Sequence, residues 1–305
     1  METAHTVQVD GTGIYVTVHS AARRPPGSSR ALVCLHGGPG IDGSGQRLML
    51  SALADVADVV VPDQRGHGLS DPSTPDKWEL DTWADDVAAI VDELGLDRPV
   101  VYGISFGGWV AIRHAARHPR QTGGLIVASM TPKVPAPEEI ARRMGALAGA
   151  AAEQAWLRAH YQPSAEAVEE MQRLCLPLMA RRQPSPALAA VRAAQWFSPQ
   201  LDAHFTPQYE ILDLTPELRA VAVPTLVILG ELDPFVTAEA IAATAEALPA
   251  KGRLVTLPDV AHDLFADAPD RLLREVRDFL VDVVGAADGA ETVGEADAVG
   301  EAGRP

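Results

Sequence analysis

The sequence predicts an α/β fold, in which a mostly parallel β-sheet carries helices on both faces. Short apolar runs rich in valine, isoleucine and leucine recur along the chain, and stretches with helical spacing separate them. The apolar runs are not interrupted by polar residues, which is typical of parallel strands covered on both faces. Strand and helix alternate over residues 31–129 and again from residue 225, so right-handed crossovers are expected.

The local pattern predicts each element in turn. Two β-branched strands come first, over residues 6–9 and 14–18, with an Asp-Gly-Thr-Gly turn between them. The later strands are predicted over residues 31–35, 59–62, 100–104, 124–129, 225–229 and 253–257. The helices that connect or follow them are predicted over residues 48–54, 82–94, 107–117, 238–247 and 269–284.

The alternation stops between residues 132 and 213. This segment is rich in alanine, arginine, glutamate and methionine, and prolines interrupt its helical spacing. We interpret residues 132–213 as a helical insertion between two parts of one core, residues 1–131 and 214–284. Residues 285–305 contain no aromatic residue and many acidic ones, so a disordered acidic tail is expected there.

Composition and charge limit the classes of partner. The chain has 305 residues and a formal net charge of −16, which argues against nucleic acid and anionic membrane surfaces as partners. The first twenty residues do not resemble a signal peptide, and the apolar runs are too short to span a membrane. We therefore expect a cytoplasmic protein with a small-molecule or short-peptide substrate, and we leave a homodimer open.

The two cysteines do not indicate a metal or redox site. Cys34 lies in an apolar strand and Cys175 in a helical segment far along the chain, so both are expected to be buried, reduced thiols. The Cys-x-x-Cys and Cys/His spacings of metal sites are absent from the sequence. The sequence therefore predicts no metal and no organic cofactor.

Ser105 is the candidate nucleophile. Residues 103–107 match the pattern Gly-x-Ser-x-Gly between a β-branched strand and an amphipathic helix. A turn this tight forces the serine into a strained backbone conformation, and the two glycines leave room for neighbouring backbone. The strain exposes Oγ at the carboxyl end of the sheet, where the helix N-terminus favours developing negative charge.

His262 is the candidate general base that a serine nucleophile needs. It follows the strand at residues 253–257 and precedes the last helix, so its loop lies at the same sheet edge as Ser105. The other candidates are on or after the helix behind Ser105, in the helical insertion, or on the first strands. They are His114, His118, His160, His204, His5 and His19, of which His160 and His204 could line a pocket.

Asp233 is the candidate carboxylate that orients the histidine. It comes directly after the strand at residues 225–229, and the chain order Ser105, Asp233, His262 is the order expected on this scaffold. Glu231 and Asp259 remain as alternatives because each lies in a loop at the same edge.

Two backbone amides are the candidate oxyanion donors. One is the N–H of Phe106, which follows the nucleophile. The other is expected from the loop His-Gly-Gly-Pro-Gly at residues 36–40, in which the amide of Gly38 can turn toward the site unhindered, and His36 is expected to hold this loop by hydrogen bonds. A phosphate-binding loop is disfavoured because no Gly-Lys-Ser/Thr follows.

These four separated motifs, taken together, resemble the α/β-hydrolase superfamily over residues 6–284. The resemblance implies a mostly parallel eight-stranded sheet with a helical cap inserted after the sixth strand, which matches residues 135–213. Within the superfamily, residues 36–40 and 63–70 resemble the proline iminopeptidase group, whose members hold a substrate's α-amino group with cap carboxylates. The chain departs from that group in having Phe106 where tryptophan is usual and in lacking a Trp-Glu pair in the cap, where residues 195–198 read Gln-Trp-Phe-Ser.

The resemblance leaves several functions open. A serine at position 105, where dehalogenases and epoxide hydrolases place aspartate, implies cleavage of a carboxylic ester, lactone or amide through an acyl-enzyme. The alternatives are a proline iminopeptidase-like aminopeptidase, a C–C bond hydrolase, a cofactor-free oxygenase or perhydrolase, and a ligand-binding protein with weak turnover. Trp156, Trp196 and Phe197 are candidates for the substrate pocket, although we favour the cap's own core for each. In the loop after the second parallel strand, Arg65 is expected to pair with a carboxylate such as Asp63 or Asp71.

Overall fold

The computed structural model describes residues 1–20, 31–162 and 164–296, with only the backbone for residues 284–296. Eight strands form one sheet in the order β1-β2-β4-β3-β5-β6-β7-β8, in which β3 to β8 run parallel and the β1-β2 and β2-β4 pairs are antiparallel. The strands are β1 Glu2–Val9, β2 Thr12–His19, β3 Ala31–Leu35, β4 Asp58–Pro62, β5 Val100–Ile104, β6 Gly124–Ala128, β7 Thr225–Gly230 and β8 Gly252–Leu257. This sheet confirms the predicted fold class.

Helices lie on both faces of the sheet and in the cap. Those outside the cap are α1 Ser44–Leu50, α2 Leu80–Glu93, α3 Phe106–Arg117, α9 Thr215–Ala220, α10 Ala238–Ala247, α11 Leu264–Asp267 and α12 Pro269–Ala296. Those of the cap are α4 Pro137–Ala148, α5 Ala150–Tyr161, α6 Ala165–Cys175, α7 Pro186–Ala193 and α8 Pro199–Phe205. No helix in the described part of the chain is long and apolar enough to cross a membrane.

Alternate residues of the central strands pack into two separate cores. Val33 and Val101 face one core, which α2 and α3 close with Trp83 and Trp109. Their chain neighbours, including Tyr102, face the other core, to which α1, α11 and α12 contribute. Since side chains alternate across a strand, an uninterrupted apolar run fills both cores, which explains the pattern from which the sheet was predicted.

The cap leaves and rejoins the sheet at adjacent points. An antiparallel bridge joins Lys133 to Asp213, and the Lys133 Nζ lies 3.3 Å from the Asp213 carboxylate. The cap also has a small core of its own, in which the buried residues are Ile140, Met144, Ala152 and Cys175. The cap helices are thus packed together, and two neighbouring segments of the chain connect them to the sheet.

Helices α1 and α12 differ most from the prediction. Helix α1 begins at Ser44 instead of residue 48, since contacts of Asp63 with the Gly43 amide (2.8 Å) and the Arg47 guanidinium (2.8 Å) offset the low helix propensity of the glycines there. Helix α12 ends at Ala296 instead of residue 284, in a segment rich in alanine and glutamate. It includes the first part of the predicted acidic tail, and residues 297–305 lie outside the described residues.

Candidate active site

Ser105 lies on a sharp turn between β5 and α3. Its φ of 53° and ψ of −126° are rare for a residue with a side chain. A Cβ on Gly107 would lie 2.4 Å from the carbonyl oxygen of Leu35, and one on Gly37 would lie 3.3 Å from the Ser105 Cβ. Backbone of β3 and its following loop therefore approaches the turn so closely that only glycine fits at position 107.

His262 lies between Ser105 and Asp233. Its Nε2 is 3.1 Å from the Ser105 Oγ, and its Nδ1 is 2.8 Å from the Asp233 Oδ2. Asp233 is fully buried, and its second oxygen accepts a hydrogen bond of 2.8 Å from the Phe235 amide. Because an ionised carboxylate only accepts, Nδ1 carries the proton and the Nε2 lone pair faces the serine hydroxyl.

The environment of His262 shifts its pKa in two opposite directions. Burial disfavours the charged imidazolium and lowers the pKa, whereas the charge and hydrogen bond of Asp233 raise it, and Asp263 adds to the rise. The net result is a pKa above the ordinary 6.5. The imidazole can accept a proton near neutral pH, and Asp233 stabilises the cation that results.

Backbone amides are available on two sides of the serine. Phe106 is the first residue of α3, so its N–H has no partner within the helix. Gly38 lines the same cavity as Ser105 and has a φ of +110°, which favours glycine. The Gly38 carbonyl accepts a hydrogen bond of 3.2 Å from the Tyr209 hydroxyl of the cap.

Two buried histidines hold the loop at residues 36–40. The His36 Nδ1 lies 2.9 Å from the Gly37 carbonyl, and its Nε2 accepts from the backbone amide of Gln64 at 3.0 Å. The His67 Nε2 accepts from the Gly40 amide at 3.0 Å, and burial lowers its pKa to about 3. A neutral ring that accepts on one nitrogen and donates on the other fits both positions, so His36 holds the loop as predicted.

Arg65 pairs with neither of the carboxylates suggested from the sequence. Its Nε lies 2.8 Å from the Asp86 Oδ2, and a second contact joins the same two side chains, both of them buried. Asp63 instead accepts from Arg47, and Asp71 accepts from the Gly13 amide at 2.7 Å. The correction follows from the packing of α2 on the sheet, which brings its Asp86 against the loop that carries Arg65.

A cavity of about 500 Å³ opens at Ser105 and His262, between the sheet and the cap. Its wall is mainly apolar, and the aromatic side chains that line it are Trp109, Trp156, Tyr209 and Phe235. Trp156 thus lines the cavity and also packs on the core of the cap. Trp196 and Phe197 are not among the residues that line it. Their segment contacts residues 40–42 instead, through a bridge between Phe197 and Ile41 and a bond of 3.0 Å from the Trp196 amide to Asp42.

Most of the residues considered as alternatives to Asp233 and His262 lie away from the cavity, with one exception. Asp259 pairs with Arg182 of the cap, and His114 and His118 stack against each other at the C-terminal end of α3. His204 packs against the ring of Trp78. The exception is His160, which lines the cavity and lies 3.1 Å from the Glu210 carboxylate.

The cavity contains polar groups that sequence reasoning missed. Asp202 and Tyr209 line it from the cap, and Ser129 lines it from the end of β6, where its hydroxyl donates to the His262 carbonyl at 2.7 Å. Burial raises the pKa of the Asp202 carboxyl. No local motif marks the cap residues, whereas Ser129 could have been found because it ends the strand next to that of Ser105. Among the described residues, no group of three or more histidine, cysteine, aspartate or glutamate side chains is arranged to hold a metal ion.

The sheet order, the serine turn and the helical insertion together define an α/β enzyme fold with its site at the carboxyl edge of the strands. The family model for the alpha/beta hydrolase fold matches residues 30–269. The chain therefore belongs to the alpha/beta hydrolase family, as its motifs predicted.

Individual relatives agree with this membership. A 2-(acetamidomethylene)succinate hydrolase from Mesorhizobium japonicum is 26% identical over 84% of this chain and 90% of its own length. A proline iminopeptidase from Clostridium botulinum is 34% identical, over 42% of this chain and 45% of the relative, so this match spans less than half of that protein. A crystal structure of proline iminopeptidase from Mycobacterium smegmatis shares the fold, with a TM-score of 0.77 at 23% identity, over 93% of this chain and all of the other. The similarity to the proline iminopeptidase-like group is thereby confirmed.

Proposed function

We propose that the protein is a serine hydrolase that cleaves a carboxylic ester, lactone or amide of a small molecule through an acyl-enzyme. The observation that carries the proposal is the continuous chain of contacts from the Ser105 Oγ through His262 to the buried Asp233, with distances of 3.1 and 2.8 Å. A strained serine, a base within hydrogen-bond distance and a carboxylate behind the base are what nucleophilic acyl transfer needs.

In the proposed mechanism the His262 Nε2 takes the proton of the Ser105 hydroxyl as Oγ attacks the substrate carbonyl. The oxyanion that forms accepts hydrogen bonds from the amides of Phe106 and Gly38. The imidazolium then donates its proton to the leaving group. Water, deprotonated by the same nitrogen, attacks the acyl-enzyme, and the imidazolium returns the proton to the serine Oγ as the acid is released.

The shape of the cavity limits the substrate. A volume of about 500 Å³ with a mainly apolar wall suits a small molecule or the end of a peptide. The cap covers the site, so a long polymer would have to enter by its end. We therefore infer a small acyl substrate with an apolar body.

The test is reaction with a fluorophosphonate probe, followed by identification of the modified residue. We expect labelling at Ser105 that Ser105→Ala abolishes and that His262→Ala slows by at least about a hundredfold. Ser129→Ala is the matched control, because the Ser129 hydroxyl also lies at the cavity but donates to the His262 carbonyl and not to its ring. A folded protein that the probe leaves unmodified would contradict the proposal and favour a ligand-binding role.

A second candidate function, an aminopeptidase-like activity, is favoured by the charges of the cavity. Asp202 and Glu210 both line it, and Glu210 contacts His160 whereas no ion pair of the described residues includes Asp202. A carboxylate beside an apolar cavity suits the cationic amine of a peptide N-terminus. Proline p-nitroanilide and p-nitrophenyl acetate distinguish the two functions, because anilide turnover that Asp202→Asn lowers mainly through KM supports the second, and ester turnover without anilide cleavage excludes it.

A further inference from the structure

The loop that carries His262 is joined to the cap by several hydrogen bonds. The amide of Asp263 donates to the Met179 carbonyl at 2.8 Å. Asp267, in the short helix that follows, accepts from the backbone amides of Arg181 and Arg182 at 2.7 and 2.8 Å. The cap therefore contacts the histidine loop directly, from the segment that precedes α7.

One side-chain contact of this interface is an ion pair next to His262. Arg192, near the end of α7, binds both carboxylate oxygens of Asp263, and one of the two contacts measures 2.8 Å. The pair is partly buried, with side chains 36% and 15% exposed for Arg192 and Asp263. Asp263 also accepts from the Ala266 amide at 3.1 Å and so caps α11. Two-point binding of a carboxylate by arginine fixes its orientation as well as its position.

We propose that Arg192 is a positioning residue for the reaction, which acts on His262 through Asp263. The guanidinium holds the histidine loop in place from the cap, and it neutralises the carboxylate that directly follows the general base in the chain. This role rests on the proposed function, in which His262 is the base.

The charges around His262 give the proposal a signature that packing alone would not have. The carboxylates that act on its ring are Asp233, across the hydrogen bond, and Asp263. Its other neighbours, the Ser105 hydroxyl and the ring of Phe235, are neutral. Arg192 is the counter-charge of Asp263, so the two members of the ion pair act on the imidazolium with opposite signs.

Two variants should therefore shift the pH profile in opposite directions. Arg192→Met leaves Asp263 without its counter-charge, so the pKa of His262 should rise. The acidic limb of the pH profile of kcat/KM should then move to higher pH by about half a unit. Asp263→Asn keeps a side-chain oxygen that can cap α11 but removes the negative charge, so the limb should move down by a similar amount. The double variant should lie close to the wild-type protein.

The matched control is Arg182→Met. This substitution also removes one positive charge from the cap side of the interface. The Arg182 side chain, however, binds Asp259, with 2.7 Å to the carboxylate. It should leave the acidic limb in place even if it lowers stability. Arg192→Lys keeps the charge without the two-point geometry, so it should restore the position of the limb and only part of the rate.

The measurement uses p-nitrophenyl acetate, read at the isosbestic wavelength of p-nitrophenol, and the fluorophosphonate labelling rate as a function of pH. Above the limb, we expect Arg192→Met to lower kcat/KM at least about threefold because the histidine loop loses its two-point contact. If Arg192→Met and Asp263→Asn leave the limb in place, or move it in the same direction, the inference is wrong. A wild-type protein that the probe does not label would instead overturn the proposed function itself, so the two failures are distinguishable.

Discussion

A Cβ atom on Gly103 would lie 2.0 Å from the carbonyl oxygen of Gly107. The two glycines stand on either side of Ser105, and the chain reverses from β5 into α3 between them. No side chain can occupy a gap of this size, and the atom on the other side is backbone, which cannot move without unwinding the first turn of α3. The position of the serine hydroxyl therefore depends on the absence of a single methyl group.

We expect Gly103→Ala to destabilise the protein by at least about 3 kcal/mol, or to prevent folding, because the added methyl group overlaps backbone. Gly45→Ala is the control, since a Cβ there meets nothing within 4 Å and the residue lies in α1. Alanine in a helix should stabilise the protein by about 0.5–1 kcal/mol. Urea unfolding measures both, and a loss below about 1 kcal/mol for Gly103→Ala would show that the turn can relax.

The sequence was sufficient to predict the sheet and to predict that three side chains distant in the chain lie close together. Each of Ser105, Asp233 and His262 follows an apolar strand, and parallel strands present their carboxyl ends at one edge. Topology alone thus brings residues from three parts of the chain together, without any knowledge of side-chain packing. The two glycines of the serine turn and the loop at residues 36–40 could be interpreted from the local sequence alone.

Residues positioned by helix packing could not be predicted from the sequence. Asp86 contacts Arg65 because α2 packs against the sheet, whereas nearness in the chain had favoured Asp63 and Asp71. Tyr209 and Asp202 reach the cavity because the cap folds back over it, and the cap contains no motif from which its orientation could be derived. The same lack explains why Trp196 was considered for the cavity.

Asp233→Asn should lower kcat about a thousandfold to ten-thousandfold with a small effect on KM, because the amide can no longer stabilise the imidazolium or fix its tautomer. Glu231→Gln is the matched control, since Glu231 lies two residues away and its contact with Arg143 uses its backbone carbonyl. Ester hydrolysis under saturating substrate measures the effect. Equal losses in the two variants would remove Asp233 from the proposed mechanism.

The pH dependence of ester hydrolysis should follow His262. The base must be unprotonated. Burial disfavours the imidazolium, but Asp233 and Asp263 together stabilise it more, so its pKa lies above the ordinary 6.5. We expect kcat/KM to fall as the pH is lowered, with a midpoint above 6.5. His67, with a pKa of about 3, and His114, with one of about 4, titrate too far below to account for this limb.

His160→Gln is the control for this pH profile, because His160 lines the cavity as well. The midpoint should stay in place in that variant, although the loss of the contact with Glu210 should change KM. A midpoint that moves with His160, or one that lies below pH 6.5 in the wild-type protein, would contradict the assignment to His262.

Tyr209→Phe should lower kcat about fivefold, which corresponds to about 1 kcal/mol for one neutral hydrogen bond. The phenol donates to the Gly38 carbonyl, so it holds the peptide next to the proposed oxyanion donor, while its ring packs between Trp109 and Phe205. Phenylalanine keeps that packing and removes only the donor. Tyr161→Phe is the control, as Tyr161 is an exposed residue of the cap bonded to Glu138, and a loss of the same size there would show that Tyr209 has no particular role.

The ion pair of Arg65 and Asp86 should behave differently from the ion pairs at the surface. Both side chains are buried, and burial raises the pKa of the Asp86 carboxyl even beside the guanidinium. Arg65→Met removes the partner and leaves a buried carboxylate, so we expect a loss of about 3 kcal/mol or more in the free energy of unfolding. Arg277→Met, which breaks an exposed pair with Asp55, should cost less than about 1 kcal/mol.

A second substitution at the same pair separates the cost of a buried charge from the value of the pair itself. Since two charges lose hydration when they are buried together, replacing both side chains with apolar ones of similar volume often costs little. We expect Arg65→Met with Asp86→Leu to regain most of the stability that Arg65→Met loses. If the double variant is as unstable as the single one, the loss comes instead from the other contacts of Arg65, which reach the Thr12 hydroxyl and the Val9 carbonyl on the first two strands.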